Sequence, residues 1–400
     1  MLEKPCRILV AAVEHYRDAP SGSARLAYDC ACFLAEKGNS VWLVAPTALR
    51  DAPECECING VWLLRYRLPI FHPLDPRRAR AHQNATKAIL QQYIRGSVDV
   101  VYGHAPLQYQ GACELYEKQA RKCFTVHSPV RREMEFAWSG AGLIPRLRRI
   151  LGLRRLDWIE QDCLRRSDCI TVLSEFTRKA LQEIHGSESD SRTVTLPGWV
   201  DLDRFTALEN CDEVRMGMGW RTDVPVFFTL RRLVPRMGLD RLLRAVRRLF
   251  DQGYKFQLVI GGAGPLLGRL QELTRDLSLQ NSVHFAGRVS DEVLPLMYGA
   301  CDAFILPSTN LECFGLIVVE ALACGRPVLA TPVGAIPEVL NGFEARWIAR
   351  SADEESIAEI MADFMDGRLP THSAEELRGI LKRDYNRSVV LNRMANLILN

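Results

Sequence analysis

Two glutamates, Glu312 and Glu320, stand eight positions apart in the segment ECFGLIVVEALACGRPVLAT. Between them Phe314, Gly315 and Leu316 read as the opening turn of a helix that follows an apolar strand, Cys301 to Pro307. The first N–H groups of a helix have no partner within it and carry the positive end of its dipole, so this turn is a candidate anion site. Gly315 removes the Cβ that would hold a phosphate away from the backbone. Glu320, one to two turns into the helix, can accept two hydrogen bonds from a diol. Glu312, on the preceding loop, can reach sugar hydroxyls while the helix start holds a diphosphate. The same spacing also suits a buried amphipathic helix with one surface and one capping glutamate, so other segments must decide.

Further candidates sit at strand ends. TLRRLVPRMGLDRLL places Arg231 and Arg232 at the carboxyl end of a strand, where a guanidinium can fork onto a diphosphate and neutralise its charge as it leaves. LVIGGAGPLLGRL ends another strand in Gly261, Gly262 and Gly264, with Pro265 at the first helical position. It matches a dinucleotide fingerprint only in part, because the third glycine comes one residue late at Gly268 and no acidic residue closes the next strand. After the first strand, Ser21, Gly22 and Ser23 precede a helix. There Ser23 reads as an N-cap and Gly22 as a second place where backbone can approach a phosphate. His127 ends the strand CFTVHS at a sheet edge, whereas His104, ending VVYGH, reads as structural.

The elements that position these residues alternate. Apolar, β-branched runs at Ile8 to Val13, Val41 to Ala45, Val98 to Val101, Phe124 to Val126 and Ile170 to Leu173 are separated by helical patterns. They lack strict alternation, as expected of parallel strands covered on both faces. The pattern pauses from Gly198 to Asp223 and restarts with Val226 to Leu230, Gln257 to Ile260, Val283 to Phe285, Ala303 to Leu306 and Val328 to Ala330. Two α/β sheets are therefore expected, with ligands held outside the carboxyl ends of the strands. The length of 400 residues agrees with two domains of about 200 residues each.

Composition excludes some classes. A formal charge of +3 is too small to announce nucleic acid as a partner. No apolar run reaches the roughly 18 to 20 residues needed to span a bilayer, and no signal-peptide core follows Arg7, so a cytoplasmic protein is expected. The 13 cysteines are scattered and read as reduced core thiols; Cys30/Cys32 and Cys55/Cys57 have no matching histidine pair for zinc.

With these pieces in this order, the chain resembles glycosyltransferase family 4, retaining enzymes of the GT-B fold that use nucleotide sugars. The resemblance covers nearly the whole length: ILVAAVE and the Gly22 loop, FTVHS, CITVLSEFTR, TLPGWVDLDRF, RRLVPRMG, GGAGP, FAGRVSDEVL, then LECFGLIVVEALACGRPVLAT followed by GAIPEV. It implies an α/β architecture of two Rossmann-like doubly wound domains facing a central cleft. Residues 1–198 would form the acceptor side, with a C-terminal helix near 386–400 packing back on it, and 199–385 the donor side. It also implies that Gly22 meets the donor phosphates and that His127 lies beside the donor sugar or acceptor. Arg232 would bind the diphosphate, helped by the Gly264 turn, and the backbone at Val289 would touch the nucleobase. Glu312 and the N–H groups of Phe314, Gly315 and Leu316 would hold sugar and phosphate, and Glu320 the ribose. Arg232, Glu312 and His127 would be the catalytic set. Two positions depart from the pattern. Met237 stands before Gly238 where such enzymes place a lysine, with Arg236 as the nearest replacement cation, and Trp199 stands where a small polar residue is common.

The implied chemistry is transfer of a hexosyl group with retention. No residue is placed as a dedicated nucleophile, so the departing phosphate oxygen would take the acceptor's proton while the protein supplies position and charge stabilisation. No metal and no cofactor are expected. The donor is a nucleotide-diphosphate sugar, uridine first and guanosine second, and the acceptor is an unnamed hydroxyl compound read by variable segments such as Arg131 to Leu143. A metal-binding Asp201-Leu202-Asp203 in a single-sheet enzyme is disfavoured, because a full second sheet follows it. A non-catalytic sugar-nucleotide-binding protein, or an epimerase or hydrolase of the same fold, are the rival functions. PRLRRILGLRRLDWIEQDCLRRSD carries Arg146, Arg148, Arg149, Arg154, Arg155, Arg165 and Arg166 among Leu, Ile and Trp158. It reads either as a surface resting on anionic lipid headgroups or as an arginine-rich solvated helix.

Overall fold

The apolar runs become strands buried on both faces: Ile8, Leu9, Val10 and Ala11 are each 0% exposed in β1 (Arg7–Ala11). The computed structural model describes residues 5–19, 21–69, 71, 75, 77–117, 120–139 and 146–400, with backbone alone for 136–139 and 146–149. Clustering of contacts divides the chain into two units, one of Met1–Pro197 with Leu391–Asn400, the other of Gly198–Val390.

In the first unit β1 is joined by β2 (Ser40–Pro46), β3 (Cys55–Ile58), β4 (Val61–Tyr66), β5 (Val100–Gly103), β6 (Arg121–Val126), β7 (Cys169–Val172) and β8 (Thr193–Thr195). Their order across the sheet is β3-β4-β2-β1-β5-β6-β7-β8. All neighbours are parallel except β3 and β4, an antiparallel hairpin. That hairpin and β8 were absent from the sequence reading. Its signal was present in Asn59-Gly60, both at positive φ (52° and 77°), a pair that suits a two-residue hairpin turn. The core packs Leu9, Val44, Val101 and Ile170 from the sheet against Leu90, Tyr109 and Leu181 from the helices.

The second unit contains β9 (Val226–Leu230), β10 (Gln257–Gly261), β11 (Val283–Gly287), β12 (Ala303–Leu306) and β13 (Val328–Ala330), all parallel, in the order β11-β10-β9-β12-β13. In both sheets the order reverses beside the first strand, between β1 and β5 and between β9 and β12. Loops leaving the carboxyl ends on either side of such a reversal diverge and leave a crevice for ligand.

The last helix, Arg387–Leu399, straddles the division between the units. Its far end belongs to the first: Arg121 Nη2 donates to the Leu397 carbonyl (3.1 Å). The second unit extends past the expected residue 385 because Val200 N donates to the Tyr385 carbonyl (2.9 Å) and Arg387 N to that of Val200 (3.0 Å), tying the chain there to the start of the unit.

Candidate donor site

The reversal in the second sheet brings together the loops after β9 and β12. After β9 the chain is clamped by the glycine turn that follows β10. Arg231 N donates to the Gly261 carbonyl and Leu233 N to that of Ala263, each at 3.0 Å. A Cβ on Gly264 would lie 2.5 Å from the Leu233 carbonyl oxygen, and one on Gly262, whose φ is +118°, 1.9 Å from that of Arg231. These glycines are therefore demanded by backbone approaching backbone. Gly264 thus holds the arginine loop.

Of the two arginines, it is Arg231 that turns inward. Its Nη2 donates to Glu312 Oε2 at 2.6 Å and to Ser308 Oγ at 2.7 Å, and lies 2.6 Å from Met237 Sδ. Ser308 Oγ also donates to Glu312 Oε2 (3.0 Å). Burial alone would push the Glu312 carboxyl up, but the Arg231 charge and hydrogen bond, with Arg236 and Ser308 behind them, hold it below the usual carboxylate range. Arg236 donates from Nη1 to the Leu311 carbonyl (3.0 Å), so it braces the Glu312 loop. The guanidinium lying against the Met237 sulfur is that of Arg231, whereas Arg236, which the sequence reading named for that place, is turned to the Leu311 carbonyl. Arg232, the arginine expected to hold the diphosphate, is exposed, and its side chain has no hydrogen-bond or ion-pair partner among the described residues.

Glu312 is fixed from its backbone as well. Its carbonyl accepts from Ala335 N (2.7 Å), and a Cβ on Gly334 would sit 2.1 Å from the same oxygen. Gly315 takes the left-handed conformation (φ 85°) as N-cap of the helix Leu316–Ala323, and no side chain caps that end. Phe314 is buried at 3% exposure and tilts against Tyr385. Glu320 is 4% exposed and its Oε2 accepts from Tyr298 Oη (2.9 Å). Val289 packs its side chain over Gly261 at the end of β10.

The first unit holds the remaining predicted residues. Gly22 is exposed as the first residue of the helix Gly22–Glu36. The N-cap is Ser21, whose Oγ accepts from Ala24 N (3.3 Å), rather than Ser23, which lies inside the helix. His127 follows β6 and shares a 2.9 Å hydrogen bond with His104. Asp201 Oδ1 accepts from Asp203 N (3.0 Å) and Arg204 N (3.2 Å), a local turn that accounts for this aspartate without a metal. Residues 131–139, expected as acceptor loop, belong to the helix Val130–Ser139, and 140–143 lie outside the described residues. None of the 13 cysteines is in a disulfide.

A model of the glycosyltransferase family 4 type matches residues 20–204, and one of group 1 glycosyl transferases matches residues 212–379. A GDP-mannose-dependent alpha-(1-6)-phosphatidylinositol monomannoside mannosyltransferase of Mycolicibacterium smegmatis is 29% identical over 347 residues, 74% of this chain and 88% of that protein. A D-inositol 3-phosphate glycosyltransferase of Geodermatophilus obscurus is 27% identical over 365 residues, 88% of this chain and 75% of the other. Among solved structures, sucrose-phosphate synthase from Thermosynechococcus elongatus superposes with a TM-score of 0.82 at 20% identity over 98% of both chains. Anabaena HepE, bound to UDP and glucose, does so with 0.73 at 17% identity, again over 98% of both. The fold is that of a GT-B glycosyltransferase. The chain belongs to glycosyltransferase family 4.

Proposed function

We propose that the chain transfers a hexosyl group, with retention of configuration, from a nucleotide-diphosphate sugar to a hydroxyl of its acceptor. The observation that carries this reading is the Arg231–Glu312 pair, set just before the glycine-opened helix at Gly315, with Arg232 exposed on the neighbouring loop. A carboxylate held ionised by a buried guanidinium is a fixed acceptor for sugar hydroxyls. An uncapped helix start and an exposed arginine supply positive charge to a departing diphosphate. That charge is the protein's own, so the reaction in this reading needs no metal.

The sequence ranks uridine ahead of guanosine in the donor; the GDP-mannose named for the mycobacterial relative reverses that order, and GDP-mannose is the first donor to test. The names of both relatives contain inositol, which supports a hydroxyl-rich acceptor. No helix among the described residues is long and apolar enough to cross a membrane. On the helix Arg146–Arg166, Leu151 (56%) and Trp158 (58%) are exposed on the stripe that carries exposed Arg154 and Arg165. That combination suits a peripheral contact with anionic lipid on the cytoplasmic face. Arg166 is paired with Asp162, Arg155 is half-buried, and the side chains of Arg146, Arg148 and Arg149 lie outside the described residues.

A thermal-shift panel of GDP, UDP, GDP-mannose and UDP-glucose tests the donor without an acceptor, since a ligand at about 100 times its Kd stabilises by about 2.7 kcal/mol. Stabilisation by one nucleotide family is expected, followed by transfer to acceptor. Donor binding without transfer in any acceptor screen favours a non-catalytic binder, and donor turnover without acceptor favours an epimerase or hydrolase.

A further inference from the structure

Cys123 and Cys169 stand opposite one another on the parallel neighbours β6 and β7, paired in register. Thr125 and Thr171, two residues further along the same strands, point to the same face, and their hydroxyls share a 2.6 Å hydrogen bond. Side chains of this face therefore meet across the ladder. The two sulfurs do so as well, for they are hydrogen-bonded to one another. Cys169 is the first residue of β7 and Cys123 the third of β6, so the pair lies toward the amino ends of the strands, away from the carboxyl ends where ligands gather. Neighbouring strands run about 4.8 Å apart, and a disulfide takes Cα atoms about 4.4–6.8 Å apart. This pair can be bridged with little movement of the backbone.

Arg121 shares the face, two residues before Cys123 on β6. Its Nη2 donates to the Leu397 carbonyl (3.1 Å), while its Nε is buried with no hydrogen-bond partner. The hydrogen bond from Cys123, with the Arg121 charge behind it, lowers the Cys169 thiol to about 7, against burial and the charge of Asp168. The same bond, together with burial, pushes the Cys123 thiol up, so Cys123 keeps its proton. At neutral pH one sulfur is thus partly a thiolate and the other a proton donor, the division of labour that disulfide formation needs. Cys123 is 1% exposed and Cys169 6%, and the Ile398 carbonyl near the end of the helix Arg387–Leu399 lies 4.0 Å from Cys123 Sγ. Helix ends fray, so this last turn is the way in for a small oxidant.

We propose that Cys123 and Cys169 are an oxidative modification site, which a peroxide closes into a reversible disulfide. The site is separate from the donor residues and does not rest on the transferase reading. The Cys169 sulfur attacks one peroxide oxygen, the O–O bond breaks, and the hydroxide that leaves takes up the proton Cys169 has lost. The Cys123 sulfur then attacks the sulfenic acid so formed. The S–S bond forms, the S–O bond breaks, and the second oxygen leaves as water with the Cys123 proton. Two thiols have then lost two electrons and two protons, and hydrogen peroxide has become two waters. The test treats the 400-residue chain with about one equivalent of hydrogen peroxide, blocks the remaining thiols with N-ethylmaleimide and maps the peptides by mass spectrometry. A Cys123–Cys169 cross-link as the main product, with two of the 13 thiols lost and both recovered in dithiothreitol, supports the proposal. Cys169→Ser should then consume peroxide at least about tenfold more slowly. No cross-link, a cross-link between other cysteines, or Cys169 carried to its sulfinic acid in the wild-type protein overturns it. The mapping uses the wild-type protein, so it decides the matter even where the variant fails to fold.

Discussion

Arg231 and Glu312, 81 residues apart in the chain, meet at 2.6 Å with side chains 4% and 14% exposed. The pair joins the loop after β9 to the loop after β12 at the point where the strand order reverses. Removing one member of a buried pair leaves the other uncompensated, at a cost of about 3–5 kcal/mol. Arg231→Met and Glu312→Gln are each expected to destabilise on that scale in urea titrations. The double variant should lose less than the sum, with a coupling of about 1–3 kcal/mol. Strict additivity would mean that the pair does not hold the two loops.

Arg232→Ala is expected to leave stability within about 0.5 kcal/mol of wild type, because the side chain is exposed. Turnover should fall about 100- to 1,000-fold, the scale of losing one charge-stabilising donor. A rate close to wild type would remove Arg232 from the reaction. Since arginine and the helix start supply the charge, EDTA should leave the rate intact, and strict dependence on Mn²⁺ would count against the proposed chemistry.

Met237→Lys restores the residue type that the family pattern places there, yet a gain in activity is not expected. Met237 is 6% exposed with its sulfur against Arg231, so an ammonium would be buried beside an existing guanidinium. The variant should melt several degrees lower, about 1–3 kcal/mol, and calorimetry of the pair of proteins decides the matter.

Acid should weaken the protein before its carboxylates titrate. His15 is 1% exposed, and burial, reinforced by the charge of Arg65, lowers it to about 4. Between that value and the ordinary 6.5 the unfolded chain binds the proton and the native chain does not, so stability falls as pH drops from about 6.5 to 4 and levels off below. The shift corresponds to about 3 kcal/mol at most. His15→Gln should flatten this part of a stability-against-pH curve; an unchanged slope would show that other groups control it.

Flotation with anionic liposomes tests the stripe of Leu151, Arg154, Trp158 and Arg165. Co-flotation at low salt that weakens with added salt and in Trp158→Ala is expected. Absence of co-flotation at low salt would dismiss a membrane contact.

Much of the site was legible in the sequence because its residues are unusual for their places. Gly315 before an apolar helix was readable as a place where backbone lies open; that it turns left-handed there, with φ of 85°, came from the structure. The runs that become β9, β10, β12 and β13 were readable from their β-branched and aromatic content without alternation, since both faces are covered. The hairpin of β3 and β4 escaped because CECI and VWLLRY mix polar and apolar residues; the Asn-Gly turn between them was the better guide.

The sequence by itself determined two parallel sheets and the glycine turns and short-range spacing around Glu312, because these depend on backbone freedom and on periodic burial within a few residues. Which arginine of the Arg231-Arg232 pair enters the core, what Glu320 bonds to, and that His104 and His127 are hydrogen-bonded to one another were decided by the tertiary structure alone. Adjacent residues at a strand end leave in different directions, and only strands brought together across the sheet determine which side chain finds a partner and which is left to meet a ligand.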